Sequence, residues 1–474
     1  MKSKAAAAIA IAVSSDASHQ PATPAVTADA SSTLDVRKEL ENAPFGIFHL
    51  RIGLLISLIL LSDGYDLYNS AYIVHSVAGP WGLSPSGIGV LLSSGLAGFA
   101  AGSTISGFFG DRLGRRKVLL FGCWASGIMS LAIAVLAHDL ASYVALRVLM
   151  GLALGLLMPI AVTYINEIAP SRASNVFTAW FFSLGWLAGA SSAGLVAGWL
   201  TPAHGWQSLY YVGSAMLPFA LLIHWLLPES PLFLAGRSRW SEVKTLLVKI
   251  RPDRAAHYES VKLVSTLKDA HRGSGRVLLS RGYFARSVSY WCAGALSLFA
   301  AYGLSGWLPT IMLKRGENLS SSFAYGSLLA GMAVAGGLLA GYIADRLGDR
   351  RRVVALSYVF GTVAIAILAR SHDHATTLAA VAAAGAFVVG SQIVLNNLVA
   401  STYPTEVRST GVGIFLGLAR VGAMLGPSVA GLLQQWSGTT DIMFATIGTA
   451  TLLTAGLVYG AAPTSTPQST VQDG

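Results

Sequence analysis

The stretches GFFGDRLGRR (residues 107–116) and GYIADRLGDR (residues 341–350) are one motif written twice, at an offset of 341 − 107 = 234. A second pair keeps the same offset: Pro170 of NEIAPSR and Pro404 of YPTEVR are separated by 404 − 170 = 234. Two dissimilar motifs sharing one spacing mean that a long unit has been duplicated. Around each motif lie apolar runs near the length that a helix needs to cross a bilayer. Reading outward places them at about 50–76, 86–109, 117–137, 141–164, 174–200, 207–227, 285–312, 322–344, 353–370, 376–400, 409–434 and 441–461. The expected fold is therefore an all-α membrane protein. Twelve transmembrane helices form two six-helix pseudo-repeat bundles, residues 45–227 and 285–461, facing each other across a central cavity.

Composition agrees. Of 474 residues 53% are hydrophobic and 11% charged, against about 25% charged in soluble domains. The excess of 32 Lys+Arg over 22 Asp+Glu would suit a nucleic-acid partner only if it were clustered on one surface. Instead the basic residues sit on alternate connections: Arg112, Arg115, Arg116 and Lys117, then Arg172, then Arg346 and Arg350–Arg352, then Arg408. Such loops are cytoplasmic. The connections at 76–86 and 201–207 hold no Lys or Arg, with Lys314 and Arg315 a local exception. A multi-pass protein of the inner membrane with both termini in the cytoplasm follows. Residues 228–284 read as a cytoplasmic linker with short amphipathic helices on the membrane surface, and residues 1–44 and 462–474 as disordered tails. Cys123 and Cys292 have neither disulfide-framework nor metal-ligand spacing. No phosphate loop, zinc cluster or nucleophile elbow occurs, so neither an enzyme nor a cofactor is expected.

Ionisable residues inside the apolar runs carry the chemistry. Asp63 and Asp66 lie in the first run, where a charge costs roughly 2.5–3.5 kcal/mol on insertion scales. With Asn69 and Ser70 they fall on one helical stripe, expected to face the cavity. Arg147 lies in the fourth run, and Gly151, Gly155 and Pro159 follow it at four-residue steps, a smooth face for a neighbour, with the first helix the expected one. Under the repeat offset Asp66 becomes Ala300 and Arg147 becomes Val381, so these charges belong to the first half alone. Arg420 in the eleventh run matches the two oxygens of a carboxylate; a contact with Asp111 or Glu406 is the structural alternative. Gln392, Asn396 and Asn397 offer uncharged donors and acceptors for a substrate, or simple interhelical hydrogen bonds. Tyr302 and Trp186 are the aromatic residues expected to line the cavity. Gly107, Asp111, Arg112, Gly114, Arg115 and Arg116 suit a latch, with Glu167, Arg172, Asp345, Arg346, Glu406 and Arg408 as further members.

The loop motif resembles that of the major facilitator superfamily, and the likeness runs through nearly the whole chain after about residue 45. More narrowly, DGYD (63–66), Arg147 with Gly151 and Gly155, PESP (228–231) and NNLVASTYPTEVRSTGVGIFLGLARVGAMLGP (396–427) resemble the aromatic acid:proton symporters. The resemblance implies a proton-coupled symporter that imports a small organic acid, such as a benzoate derivative, by alternating access. It also implies that Asp66 and Arg147 form a proton-sensitive pair, with Asp63 as a third member. The implied partners are the organic acid, protons as the coupling ion and the lipid bilayer, with no nucleic acid and a monomer as the working unit. Sugar and polyol porters share Gly64-Tyr65-Asp66, PESP and the PTEVR-like loop, so a sugar:proton symporter is the nearest alternative. A membrane sensor that keeps the fold without transport is the alternative of another kind.

Overall fold

The computed structural model describes residues 33–170, 183–265, 278, 280, 283–403 and 405–461. The first six spans are α1 (Ile47–Val77), α2 (Pro85–Leu113), α3 (Arg115–Leu136), α4 (Leu140–Ile168), α5 (Ala188–His204, entered through a π turn at Ser183–Leu187) and α6 (Gln207–Leu226). The second six are α7 (Phe284–Lys314), α8 (Leu319–Leu347), α9 (Arg350–Arg370), α10 (His374–Thr402), α11 (Thr405–Ser437) and α12 (Asp441–Gly460). Among the described residues eleven of these are long and apolar enough to cross a membrane; the start expected for α5 lies outside them. Arg350–Arg352, expected in a loop, form the first turn of α9.

The duplication reaches the helix ends. Ser84 accepts from the Gly87 amide to open α2, and Asn318, at the repeat offset from Ser84 (318 − 84 = 234), accepts from Ser321 to open α8. Asp139 and Asp373 cap α4 and α10 in the same way, satisfying amides that a helix start leaves unpaired. Gly114 and Gly348 end α2 and α8 at φ +99° and +67°, a region that glycine enters without a Cβ penalty.

Glycines also set the packing. The face of α4 carrying Gly151 and Gly155 does not meet α1 as expected; it meets α2, where a Cβ on Gly151 would strike the Gly95 carbonyl and one on Gly155 the Phe99 carbonyl. The reason is reciprocal, because α2 brings its own Gly98 and Gly102 against Val148 and Leu152 of α4, and bare backbone on both sides permits the closest approach. In the second bundle Gly336 of α8 packs on Ala386 and Gly385 on Leu329, repeating the seam.

The two bundles touch through α2 and α11, α5 and α8, and α1 and α7. Gly89 lies against Pro427 and Ser428, Gly431 against Pro85, and the Ser428 hydroxyl donates to Ser93 at 2.8 Å. Gly194 packs on the Phe323 carbonyl, and the Tyr72 ring meets the Phe323 ring at 5.2 Å. These contacts lie toward the end of the molecule where α2 and α8 begin. At the other end, the basic face with the two loop motifs, the described ion pairs close within one bundle or the other, and Gly413 and Gly417 of α11 look into open space. Among the described residues the contacts between the bundles thus gather at the end where α2 and α8 begin.

Two expectations fail at that face. Residues 33–44 are not a disordered tail: Thr33–Asp35 (β1) pairs in parallel with Lys262–Val264 (β2), and the short helix Val36–Glu41 follows. The amphipathic helix Trp240–Ile250 turns its apolar side to protein, not lipid, burying Val243, Leu246, Leu247 and Ile250 with Val36, Leu40 and Tyr258. An apolar stripe gains as much from a protein neighbour as from acyl chains, and the segment ahead of α1 supplies one.

Candidate functional site

At mid-depth between the bundles the repeat places like on like. Tyr68 of α1 and Tyr302 of α7 are related by the repeat offset (302 − 68 = 234), and their rings meet at 6.1 Å. The other positions related by that shift are unlike in chemistry. Asp63 corresponds to Ser297, Trp186 to Arg420, and Met158 to Gln392. A site built on a two-fold therefore presents a carboxylate and an indole on one side and a hydroxyl and a guanidinium on the other.

Arg420 lies across the interface, its guanidinium 4.4 Å from the centre of the Phe99 ring and donating to the Met158 sulfur at 3.4 Å. Both neighbours belong to the first bundle, and spacing gave no signal for either. Tyr302 and Asp63 are its electrostatic partners. Asp111 is not among them, and the side chain of Glu406, the other residue of that alternative, lies outside the described residues. Asp63 is 0% exposed and forms no ion pair among the described residues; the Trp186 side chain, Arg420 and Asp66 are the groups around its carboxylate. Trp186 is positioned by backbone contact: a Cβ on Gly64 would overlap the Trp186 carbonyl, and one on Gly189 the Leu61 carbonyl, so α1 and α5 lie in direct touch. Its ring meets Tyr68 edge-on at 6.0 Å.

Asp66 and Arg147 sit elsewhere, inside the first bundle. Arg147 does not bind the Asp66 carboxylate; it donates to the backbone carbonyls of Asp66 at 2.5 Å and Leu67 at 3.2 Å. The Asp66 carboxylate instead takes Asn69 Nδ2 at 3.4 Å and faces Gly213 and Ser130. Tyr143 and Tyr210, joined by their hydroxyls at 2.7 Å, complete the cluster, and Tyr143 donates to Ser70 at 3.0 Å. The expected stripe is split. Asp63 faces the interface, whereas Asp66, about 60° round the helix from it, faces α3 and α6, and Ser70 meets Tyr143 of α4.

In the second bundle the Ser297 hydroxyl donates to Gln392 Oε1, and Gln392 Nε2 donates to Asn396 Oδ1 at 2.9 Å. Asn397, one position on, is exposed.

The residues expected to form a latch gather around Arg115, which bridges Asp111 at 3.1 Å and Glu167 at 2.9 Å and donates to the Gly110 carbonyl. Ser230 of the PESP segment donates to the second Glu167 oxygen. Arg116 uses its guanidinium on the carbonyls of Leu227 and His224, and its backbone amide on Glu229 at 3.0 Å. Glu229 thereby caps α3, a role visible in sequence only as an acid in a short polar break. Arg112 stacks on Phe108, while Arg237 reaches back to the carbonyls of Asp111 and Arg112. Gly107 has open space where its Cβ would be. In the second copy Arg350 pairs with Asp345 at 2.8 Å, Arg346 stacks on Tyr342, and Arg408 donates to the Tyr403 carbonyl. Arg172 and the side chain of Glu406 lie outside the described residues.

The comparisons with known proteins agree with this architecture. The family model of the Major Facilitator Superfamily matches residues 54–348 and 326–474. A gallate transporter of Pseudomonas putida is 34% identical over 419 residues, 88% of this chain and 92% of that protein. The 4-hydroxybenzoate transporter PcaK of Pseudomonas aeruginosa is 32% identical over 449 residues, 93% of this chain and 98% of its own. Among solved structures, the xylose transporter XylE from E. coli in its inward open conformation superposes with a TM-score of 0.68 at 17% identity, covering 88% of this chain and 96% of that one, a likeness of fold. A duplicated six-helix unit, a family model spanning both copies and two transporters matched over most of their length lead to one conclusion: this chain belongs to the Major Facilitator Superfamily, as a membrane transporter and not an enzyme.

Proposed function

We propose that the protein is a proton-coupled symporter that imports a small aromatic carboxylate, with its basic face in the cytoplasm. The carrying observation is Arg420: a guanidinium held between the bundles, stacked on Phe99, with a thioether and no carboxylate at hydrogen-bond distance among the described residues. Its remaining donors match a carboxylate. Tyr68, Tyr302 and Trp186 supply aromatic surface beside it. The substrates for which these relatives are named, gallate and 4-hydroxybenzoate, are aromatic acids and support the same reading.

Coupling follows from charge balance at the interface. An anion out of water with no partner is expensive, so Asp63 is balanced either by Arg420 or by a proton. A substrate carboxylate arriving at Arg420 takes over the guanidinium, and Asp63 then takes up a proton; acid and proton cross as one neutral load. The exchange is placed at Asp63 and Arg420 rather than at Asp66 and Arg147, because Arg147 is held by carbonyls that do not titrate.

The test is uptake of radiolabelled 4-hydroxybenzoate, benzoate and xylose into proteoliposomes with an imposed pH gradient. The wild type should accumulate an aromatic acid and not xylose, and Arg420→Ala should abolish binding. Asp63→Asn should still exchange labelled for unlabelled acid yet no longer accumulate it. Gradient-driven accumulation by Asp63→Asn at the wild-type level refutes the coupling scheme, and uptake of xylose alone refutes the substrate class.

A further inference from the structure

The amides of the second bundle are links in a directed chain that begins at Tyr358 and Ser297. Tyr358 on α9 and Ser297 on α7 are both 0% exposed, and their hydroxyl oxygens lie 2.6 Å apart. A hydroxyl has one proton to give. Ser297 gives its proton to Gln392 Oε1 and therefore accepts from Tyr358. With Oε1 occupied, Gln392 offers its Nε2 to Asn396 Oδ1. What remains at the end is the Asn396 NH2, a pair of donors on a half-buried side chain.

The repeat places this chain beside the substrate position. Ser297 stands at the repeat offset from Asp63 (297 − 63 = 234), and Gln392 at the same offset from Met158 (392 − 158 = 234). Met158 touches Arg420 across the interface, and Gln392 occupies on α10 the position equivalent to that of Met158 on α4. Asn396 follows one turn toward the basic face.

We infer that Tyr358 and Ser297 are positioning residues that lock the Gln392 and Asn396 amides as donors toward a ring oxygen of the substrate, and so set which substituted benzoates are preferred. This rests on the reading of the substrate as an aromatic carboxylate. A fixed donor rewards an acceptor oxygen and gains nothing from a bare C–H, while an aromatic amine, its lone pair drawn into the ring, accepts poorly. Sites that hydrogen-bond a substrate hydroxyl discriminate well, because the analogue without it leaves a polar group unpaired.

Initial uptake rates in proteoliposomes for 3- and 4-hydroxybenzoate, benzoate and 4-aminobenzoate test this. The wild type should prefer one hydroxybenzoate over both benzoate and 4-aminobenzoate. In Tyr358→Phe and Ser297→Ala that preference, as a ratio of kcat/KM values, should fall about tenfold, the worth of one good hydrogen bond. Benzoate uptake should persist in both, and Ser297→Thr, which keeps the hydroxyl, should restore the ratio. Thermal stabilisation by each acid in detergent reads the same preference in a variant that binds but does not transport. An unchanged ratio in both variants, or a wild type with no preference for hydroxybenzoate, overturns this inference and leaves the aromatic-acid reading standing. A wild type that takes up none of the acids overturns that reading itself.

Discussion

A guanidinium sealed within a helix bundle needs a counter-charge and partners for its N–H groups, and Arg147 divides these needs between different atoms. The carbonyls of Asp66 and Leu67 take its protons, and the Asp66 carboxylate lies close by as the electrostatic balance. The rarity of charge in apolar runs makes both residues stand out in the sequence. Which atom of Asp66 is engaged does not, because helical spacing gives the face a side chain leaves from and not how deep a long one reaches. Lysine cannot reproduce this arrangement, being a single point charge without a planar fork. Arg147→Lys should therefore lose at least one charged hydrogen bond, about 1.5–3 kcal/mol, seen as a lower unfolding midpoint in detergent together with reduced uptake. Arg147→Met should be worse, leaving Asp66 without its counter-charge; adding Asp66→Asn should recover part of the loss, as removing both members of a buried pair does. A double variant no more stable than either single one would contradict the pairing.

At the scale of elements, the duplication is legible in the sequence because two dissimilar features, the loop motif and the Pro170 and Pro404 pair, share one offset; the structure extends it to the caps Ser84 and Asn318, Asp139 and Asp373, and to the glycine seams. The identity of the seam partner was not readable, since small residues on α2 and α4 permit contact without naming who makes it. The pairing of β1 with β2 was equally hidden: each strand has three residues, too few for a period, and the two are joined from opposite ends of the first bundle. Glu39 fastens this small unit. It is 5% exposed, accepts from Arg254 at 2.9 Å, Arg251 at 3.2 Å and Tyr258 at 2.7 Å, and so joins the helix Val36–Glu41 to the linker. Burial pushes its carboxyl up, but the bonds from Tyr258 and Arg254 and the nearby arginine charges outweigh burial and hold it below the ordinary value of 4.5. A lowered carboxyl stabilises the docked segment fully above that value and loses its effect as pH falls through the lower, folded one. Amide protection of residues 33–43 in hydrogen exchange should accordingly be strong at neutral pH and decline only in acid below 4.5. Glu39→Gln should lower protection at neutral pH, leaving that of α2 and α4 unchanged; equal protection in wild type and variant would show that the apolar contacts alone hold the segment.

For the whole molecule, the consequential feature is that the described contacts between the two bundles gather at one end, away from the basic face. On the sealed side the fit depends on Gly89, where a Cβ would stand 2.9 Å from the Pro427 carbonyl oxygen and 3.0 Å from Ser428 Cα. Backbone cannot yield as a flexible side chain can, so a bulky residue there must drive α2 and α11 apart. In the arrangement described that end is packed shut, and a substitution that raises its energy shifts the population toward a state open there. About 5.5 kcal/mol is needed to carry a two-state equilibrium from one extreme to the other, within reach of a phenyl ring forced between two helix backbones. Gly89→Phe should thus trap the protein open away from the basic face. The position of Ser93, whose hydroxyl now meets Ser428 at 2.8 Å, reports the opening: combined with Gly89→Phe, a Ser93→Cys variant should react with an impermeant maleimide added on the side away from the basic face. Uptake should fall at least about tenfold, the effect of a shift of roughly 1.4 kcal/mol or more, while aromatic acid still protects against labelling. Labelling as slow as in Ser93→Cys alone would mean that the seam yields locally and that the two bundles do not move as rigid bodies about the site at Arg420.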